Sequence, residues 1–232
     1  MKYETLLFDF DHTLFDSNAS EAAAFTNTLR TFGVEDPTAH FDTYTAINSA
    51  LWTAVELHQI TPDQVRLLRF EQLVEAIGLA ADPLAMAEVF VDGMSTHGEL
   101  FPEARAVLEH LAGTARLAMI TNAMSDVQRA RIARLGIAHY FDAIVISSEV
   151  GAAKPGIAIF DIAFARLNQP EKTTTLMIGD SLSSDMLGGA TYGIATCWYN
   201  PHGKTARPTD VITHEISSLT ELVSIQADER DG

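Results

Sequence analysis

The sequence predicts an α/β protein: a Rossmann-like, doubly wound parallel sheet with an α-helical segment inserted after its first strand. Three observations predict it. Short runs rich in β-formers occupy residues 3–10, 116–121, 143–148, 174–179 and 194–199. All but the last are near-continuous apolar stretches, as expected of strands covered on both faces. Helical patterns separate the later runs, and strands alternating with helices imply parallel pairing. The stretch from Ser17 to about Ser95 has no strand pattern but carries helical apolar spacing, with Val65, Leu68, Gln72 and Val74 around Phe70. The expected division is therefore a core of residues 1–16 and 96–232 and a helical insert of residues 17–95.

Local signals place the elements in order. The first run closes on Asp9-Phe10-Asp11-His12-Thr13. Strand alternation puts Asp9 and Asp11 on one side and turns His12 away from them. Pro102 marks the start of the helix that re-enters the core. Ser125 and Gln128 have the spacing of a capping box, and Gly136 stops that helix after Leu135. Phe160, Ile162, Phe164 and Leu167 mark another helix. Residues 228–232 read as a polar, frayed tail.

The 232 residues suit one large domain or a core plus a small insert, and 47% are hydrophobic, enough for a packed core. Acidic residues outnumber Lys and Arg by 31 to 15, a formal charge of −16. So negative a surface disfavours a nucleic acid polymer or an anionic membrane as partner, but not a nucleotide-sized ligand. The single cysteine, Cys197, is expected to be a small buried side chain. No stretch approaches the ~20 apolar residues of a membrane span, and the N-terminal run is broken by Asp9 and Asp11. A cytoplasmic protein, monomer or homodimer, is expected.

Four short motifs carry the chemistry. Asp9 and Asp11 place two carboxylates at the end of a central strand, where open α/β sheets bind ligands. The like charges need a counter-charge, and a hard divalent cation such as Mg²⁺ is the simplest. Thr121-Asn122 closes the second strand with a hydroxyl and amides suited to phosphate oxygens, or to an ordinary helix start. Lys154-Pro155 holds the first lysine after Lys2, either a solvated loop residue or a counter-charge to phosphate. Gly179-Asp180 closes a strand, and Asp185 falls near the first turn of the next helix, where each aspartate is either a helix cap or a metal ligand or brace.

Together these motifs resemble those of the haloacid-dehalogenase-like superfamily, over essentially the whole chain, and the helical insert resembles its first-type cap. The resemblance implies Asp9 as nucleophile, forming an aspartyl-phosphate, and Asp11 as general acid and base. It implies Thr121, the Asn122 backbone and Lys154 around the phosphoryl group. It implies Mg²⁺ on Asp9, the Asp11 carbonyl and Asp180, with Asp185 directly behind. The presence of Asp11 favours phosphate esters over organohalides, whose leaving group needs no proton. The absence of lysine from Tyr3 to Ala153 leaves the insert no amine for Schiff-base chemistry.

A closer likeness is to the bacterial pyrimidine 5′-nucleotidases of that superfamily. It rests on Ala46-Ile47-Asn48-Ser49-Ala50-Leu51-Trp52, Arg69-Phe70-Glu71 and Ala195-Thr196-Cys197-Trp198-Tyr199-Asn200. It implies a nucleoside monophosphate substrate. Trp52 would offer a stacking face, Asn48 an amide for a base edge, and Arg69 a cation for phosphate or a base carbonyl. Trp52 and Phe70 fit the interior of the insert equally well, and Trp198 reads as packing. The alternative is a phosphatase or mutase of small sugar phosphates, and a mutase would need a second phosphate site among Arg30, Arg66 and Arg69.

Overall fold

The computed structural model describes residues 2–205 and 211–227; the tail expected at 228–232 lies outside them. The chain begins with β1 (Thr5–Phe8) and leaves the sheet for four helices: α1 (Ser17–Thr31), α2 (Phe41–Glu56), α3 (Pro62–Ile77) and α4 (Pro83–Thr96). It returns through α5 (Ala104–Ala112) and β2 (Arg116–Thr121). Then follow α6 (Ser125–Leu135), β3 (Ala143–Ile146), α7 (Ser147–Val150), α8 (Ile157–Arg166) and β4 (Thr175–Gly179). The last elements are α9 (Leu187–Tyr192), β5 (Ala195–Tyr199), β6 (His214–Ile216) and α10 (Glu221–Ala227).

Among the described residues the sheet has six strands, all parallel, in the order β3-β2-β1-β4-β5-β6. Its two faces explain the unbroken apolar runs. Leu6, Phe8, Met119 and Ile178 pack on one side, and Leu7, Ala118, Ile120 and Met177 on the other. Both sets are fully buried, and each large apolar side chain so covered contributes about 1.5–3 kcal/mol. The α1–α4 helices have an interior of their own, built on Phe25, Tyr44, Phe70 and Phe90. There α1 packs on α4 and α2 on α3. Thr61 and Gln64 form a capping box at the start of α3.

Several expected details fall differently. The first strand stops at Phe8, so Asp9 and Asp11 stand beyond it and alternation does not place them. Asp9 still extends the ladder by donating its amide to Ile178 O (2.9 Å). The chain then folds sharply, with the Leu14 and Phe15 amides both donating to the Phe10 carbonyl. The third strand ends at Ile146, where a short helix takes over. The helix after Pro102 begins at Ala104, with Glu103 in the capping position. No capping box forms at 125–128: Ser125 Oγ donates to Glu149, and Gln128 turns inward. The strand β6 carries too short an apolar pattern to be read from sequence. Gly136 ends α6 in the left-handed conformation (φ 65°), as its position predicts. Among the described residues no helix is long and apolar enough to cross a membrane.

Candidate active site

The chain builds β2 and β3 on one side of β1, then crosses to build β4, β5 and β6 on the other. The loops after β1 and β4 part at that switch point and leave a crevice at the carboxyl ends of the strands. A cleft of about 390 Å³ opens there, between the sheet and the α1–α4 helices.

Lys154 stands at its floor, 1% exposed. Its Nζ donates to Asp9 Oδ1 (2.6 Å), Asp185 Oδ1 (2.7 Å) and the Ile120 carbonyl (2.8 Å). The carboxylate oxygens of Asp9, Asp180 and Asp185 offer ligand atoms within 4.8 Å of one another. Three carboxylates therefore face one ammonium in a desolvated site. Asp9 is pushed up to about 7 on balance: burial raises it, Lys154 opposes the rise, and Asp185 and Asp11 add to it. Burial and then Asp9 push Asp180 up to about 6. Burial also raises Asp185, against the pull of Lys154. Burial alone would lower Lys154, but Asp185 and Asp9 outweigh it and hold the ammonium above its ordinary value. A surplus of buried, oxygen-only ligands is the donor set that a hard cation such as Mg²⁺ fits.

Local backbone sets this group. Asp185 lies in a π-helical turn, Leu182–Met186, and its Oδ2 accepts from the Ser181 amide (3.1 Å). A Cβ at Gly179 would stand 2.2 Å from Asp185 Oδ2, so only glycine allows that approach. Trp198, expected as packing, is buried and also donates its indole Nε1 to the Asp180 carbonyl (2.9 Å). Cys197 beside it is fully buried, and burial pushes its thiol up to about 12.

Asp11 faces different partners. Arg131 Nη1 donates to Asp11 Oδ1 (2.9 Å), Gln128 Nε2 to Oδ2 (2.9 Å), and the Ser17 hydroxyl to Oδ1. Burial would raise Asp11, but Arg131, Ser17, His12 and Gln128 together hold it below the usual carboxylate value. Gln128 Nε2 also donates to Thr121 Oγ1 (2.9 Å), which ties the second motif to the first. Asn122 is occupied twice: its Oδ1 accepts from the Lys154 amide (2.8 Å), and its Nδ2 donates to the Lys154 carbonyl (2.8 Å). Its side chain thus fixes the lysine loop and leaves only its backbone for a ligand. His12 has a left-handed backbone (φ 62°) and lines the cleft, so the alternation that turned it away does not apply.

The opposite wall is one face of α2, presenting Thr45, Asn48, Ser49, Trp52 and Glu56, with Glu21 of α1 beside it. Trp52 is half-buried and also rests against the cluster of Leu51, Val55 and Val65. Asn48 Nδ2 and Tyr44 Oη both donate to Glu21 Oε1 (2.6 Å each). Arg69 belongs to the same wall but is 2% exposed. Its guanidinium lies 4.8 Å from the Phe90 ring centroid, and Nη1 donates to Tyr44 Oη (3.2 Å). Arg66 pairs with Asp126 of α6 (2.6 Å), and Arg30 sits exposed in the last turn of α1, outside the cleft.

Sequence reading missed Arg131, Gln128, Ser17 and Glu21. The first two left a signal. Gln128, Arg131 and Leu135 share the inward stripe of α6 with Val127 and Ile132, and polar residues in an apolar stripe one turn after Thr121-Asn122 mark a network.

Across 224 residues the chain is 38% identical to the pyrimidine 5′-nucleotidase YjjG of Escherichia coli, covering 96% of this chain and 97% of that protein. It is 34% identical to the pyrimidine 5′-nucleotidase PynA of Streptococcus pneumoniae, covering 96% and 94%. The crystal structure of the HAD-hydrolase YfnB from Bacillus subtilis, bound to magnesium, superposes with a TM-score of 0.89 at 33% identity, covering 97% of this chain and 99% of that one. The haloacid dehalogenase-like hydrolase model matches residues 6–199, a span running from β1 through β5 and holding all four motifs, and the chain belongs to that family.

Proposed function

We propose that this hydrolase is a Mg²⁺-dependent phosphatase of pyrimidine nucleoside 5′-monophosphates, working through an aspartyl-phosphate on Asp9. The observation that carries it is the convergence of Asp9, Asp180 and Asp185 around one point, with a single buried ammonium among them. The nucleotide half of the reading draws on YjjG and PynA, and on the α2 face that carries Asn48 and Trp52. Residues 17–95 act as the cap that selects the leaving group.

Asp9 and Asp180, with the Asp11 carbonyl, would hold the metal, and Asp185 braces them through Lys154. Bound there, Mg²⁺ supplies neutralisation of the clustered charge and of the phosphoryl oxygens. Asp9 attacks phosphorus as the ester bond breaks, and Asp11 gives the departing oxygen its proton. Asp11 then takes a proton from the water that releases phosphate from Asp9. Thr121, the Asn122 amide and Lys154 hold the phosphoryl oxygens. The pairing with Arg131 favours the base role of Asp11 and opposes its acid role, so Asp11 loosens from Arg131 during the cycle. Trp52 stacks on the base and Asn48 meets its edge. The buried Arg69 supports that wall from behind.

A panel of phosphate esters with Mg²⁺ tests this. dUMP and dTMP are expected to lead in kcat/KM. Sugar phosphates ahead of both by more than about tenfold would overturn the nucleotide assignment.

A further inference from the structure

The two halves of the cleft differ in how their charge is spent. On the sheet side, Lys154 and Arg131 are both engaged by carboxylates. On the helical side, Arg69 is buried against Phe90 and Tyr44, and Arg66 is taken by Asp126. What that side offers to a ligand is anionic or neutral: Glu21, Glu56, Thr45, Asn48 and Ser49. Among the described residues, a second phosphate or a carboxylate on the leaving group would find no free cation there.

The hydrogen-bond polarity is equally one-sided. Glu21 Oε1 takes the Asn48 Nδ2 donor, which fixes the orientation of that amide. Asn48 Oδ1 is then left buried with no hydrogen-bond partner. The acceptor of the amide remains unspent, beside a carboxylate that also accepts only. A buried acceptor without a partner is costly, and a side-chain shift that brings it to a ligand donor relieves it.

We infer that Glu21 is a specificity-determining residue, selecting with Asn48 those esters whose leaving group is uncharged and carries N–H or O–H donors, and turning away those that bear a second anion. This rests on the phosphatase reading and adds a charge filter to it. The imide N–H of uracil or thymine and the amine of cytosine meet the requirement. Glycolate phosphates, bisphosphates and nucleoside polyphosphates do not. Repulsion at a few ångströms in a partly desolvated cleft is worth about tenfold or more in relative kcat/KM.

The test uses two esters of one shape, 4-carbamoylphenyl phosphate and 4-carboxyphenyl phosphate, with the full-length enzyme and Mg²⁺. Turnover of the carbamoyl ester by the wild type tests the phosphatase reading by itself. The change in the ratio of kcat/KM between the esters tests Glu21. The wild type is expected to favour the carbamoyl ester by about tenfold or more. Glu21→Gln, which keeps the size and an acceptor, should reduce that preference at least threefold, while Glu21→Asp, which keeps the charge, should retain it. Ser49→Lys places a cation on the same exposed face of α2 without disturbing Glu21, and should move the ratio the same way as Glu21→Gln. Equal use of the two esters by the wild type overturns the inference, as does a ratio that neither Glu21→Gln nor Ser49→Lys changes.

Discussion

The Lys154 ammonium lies 2.6 Å from the Asp9 carboxylate that is proposed to attack phosphorus, both almost wholly buried. The contact restrains a nucleophile that burial and its acidic neighbours otherwise drive toward protonation. Replacing Asp9 by Asn removes one buried charge from a crowded set, yet leaves Lys154 its bond to Asp185. Asp9→Asn is expected to abolish turnover while melting, in chelator at pH 8, no lower than the wild type. A lower melting temperature would show that the Asp9–Lys154 pair outweighs the crowding.

The metal prediction follows from the same carboxylates. Asp9 and Asp180 sit at about 7 and about 6 in the metal-free protein, above the ordinary 3.8. At these two groups the folded state therefore holds more protons than the unfolded chain, and their contribution to metal-free stability falls as pH rises from about 4 to about 7. A bound cation reverses this by favouring the ionised form. Mg²⁺ should raise the melting temperature much more at pH 8 than at pH 5, and chelator should silence turnover. Equal stabilisation at both values would count against the carboxylate site.

Arg131 is 2% exposed and Asp11 26%. Arg131→Met deletes the cation and leaves Asp11 near Asp9 without a counter-charge. Loss of about 3 kcal/mol is expected, the low end for a buried pair because Asp11 keeps contact with water. Denaturant unfolding measures it, and a loss below about 1 kcal/mol would reduce the pair to a surface contact.

Trp52 is the stacking residue of the proposal. Trp52→Ala should lower kcat/KM for dUMP by about 5- to 150-fold, the equivalent of ~1–3 kcal/mol. Turnover of acetyl phosphate, which has no base, should barely change. A parallel fall on both esters would make Trp52 a packing residue, and circular dichroism would then show whether α2 is intact.

The parallel sheet was legible because covered strands must be apolar on both faces, as Leu6, Leu7 and Phe8 are. Motifs at strand ends were legible because an open sheet exposes only those ends to a ligand. The partners of Asp11 were not, because Arg131 lies 120 residues away and only the tertiary packing of α6, which lies against α4, brings the two together. The position of Arg69 was hidden for a related reason. A cation in an amphipathic helix reads as exposed, and nothing local announces Phe90 and Tyr44 folding over it. His12 was misplaced by extending strand alternation past Phe8, where the backbone had already turned.

Arg131 has a wider reach than its bond to Asp11. Its Nε donates to the Met94 carbonyl in α4 (2.7 Å), and its Nη2 to the Ser20 hydroxyl in α1 (3.1 Å). These two helices are the first and last of the excursion between β1 and α5. One guanidinium therefore rivets the carboxylate proposed to handle the proton to both legs of that excursion. Tilting the helical layer would strain the rivet, so under the proposed mechanism admission of a ligand and readiness to move a proton would be geared together.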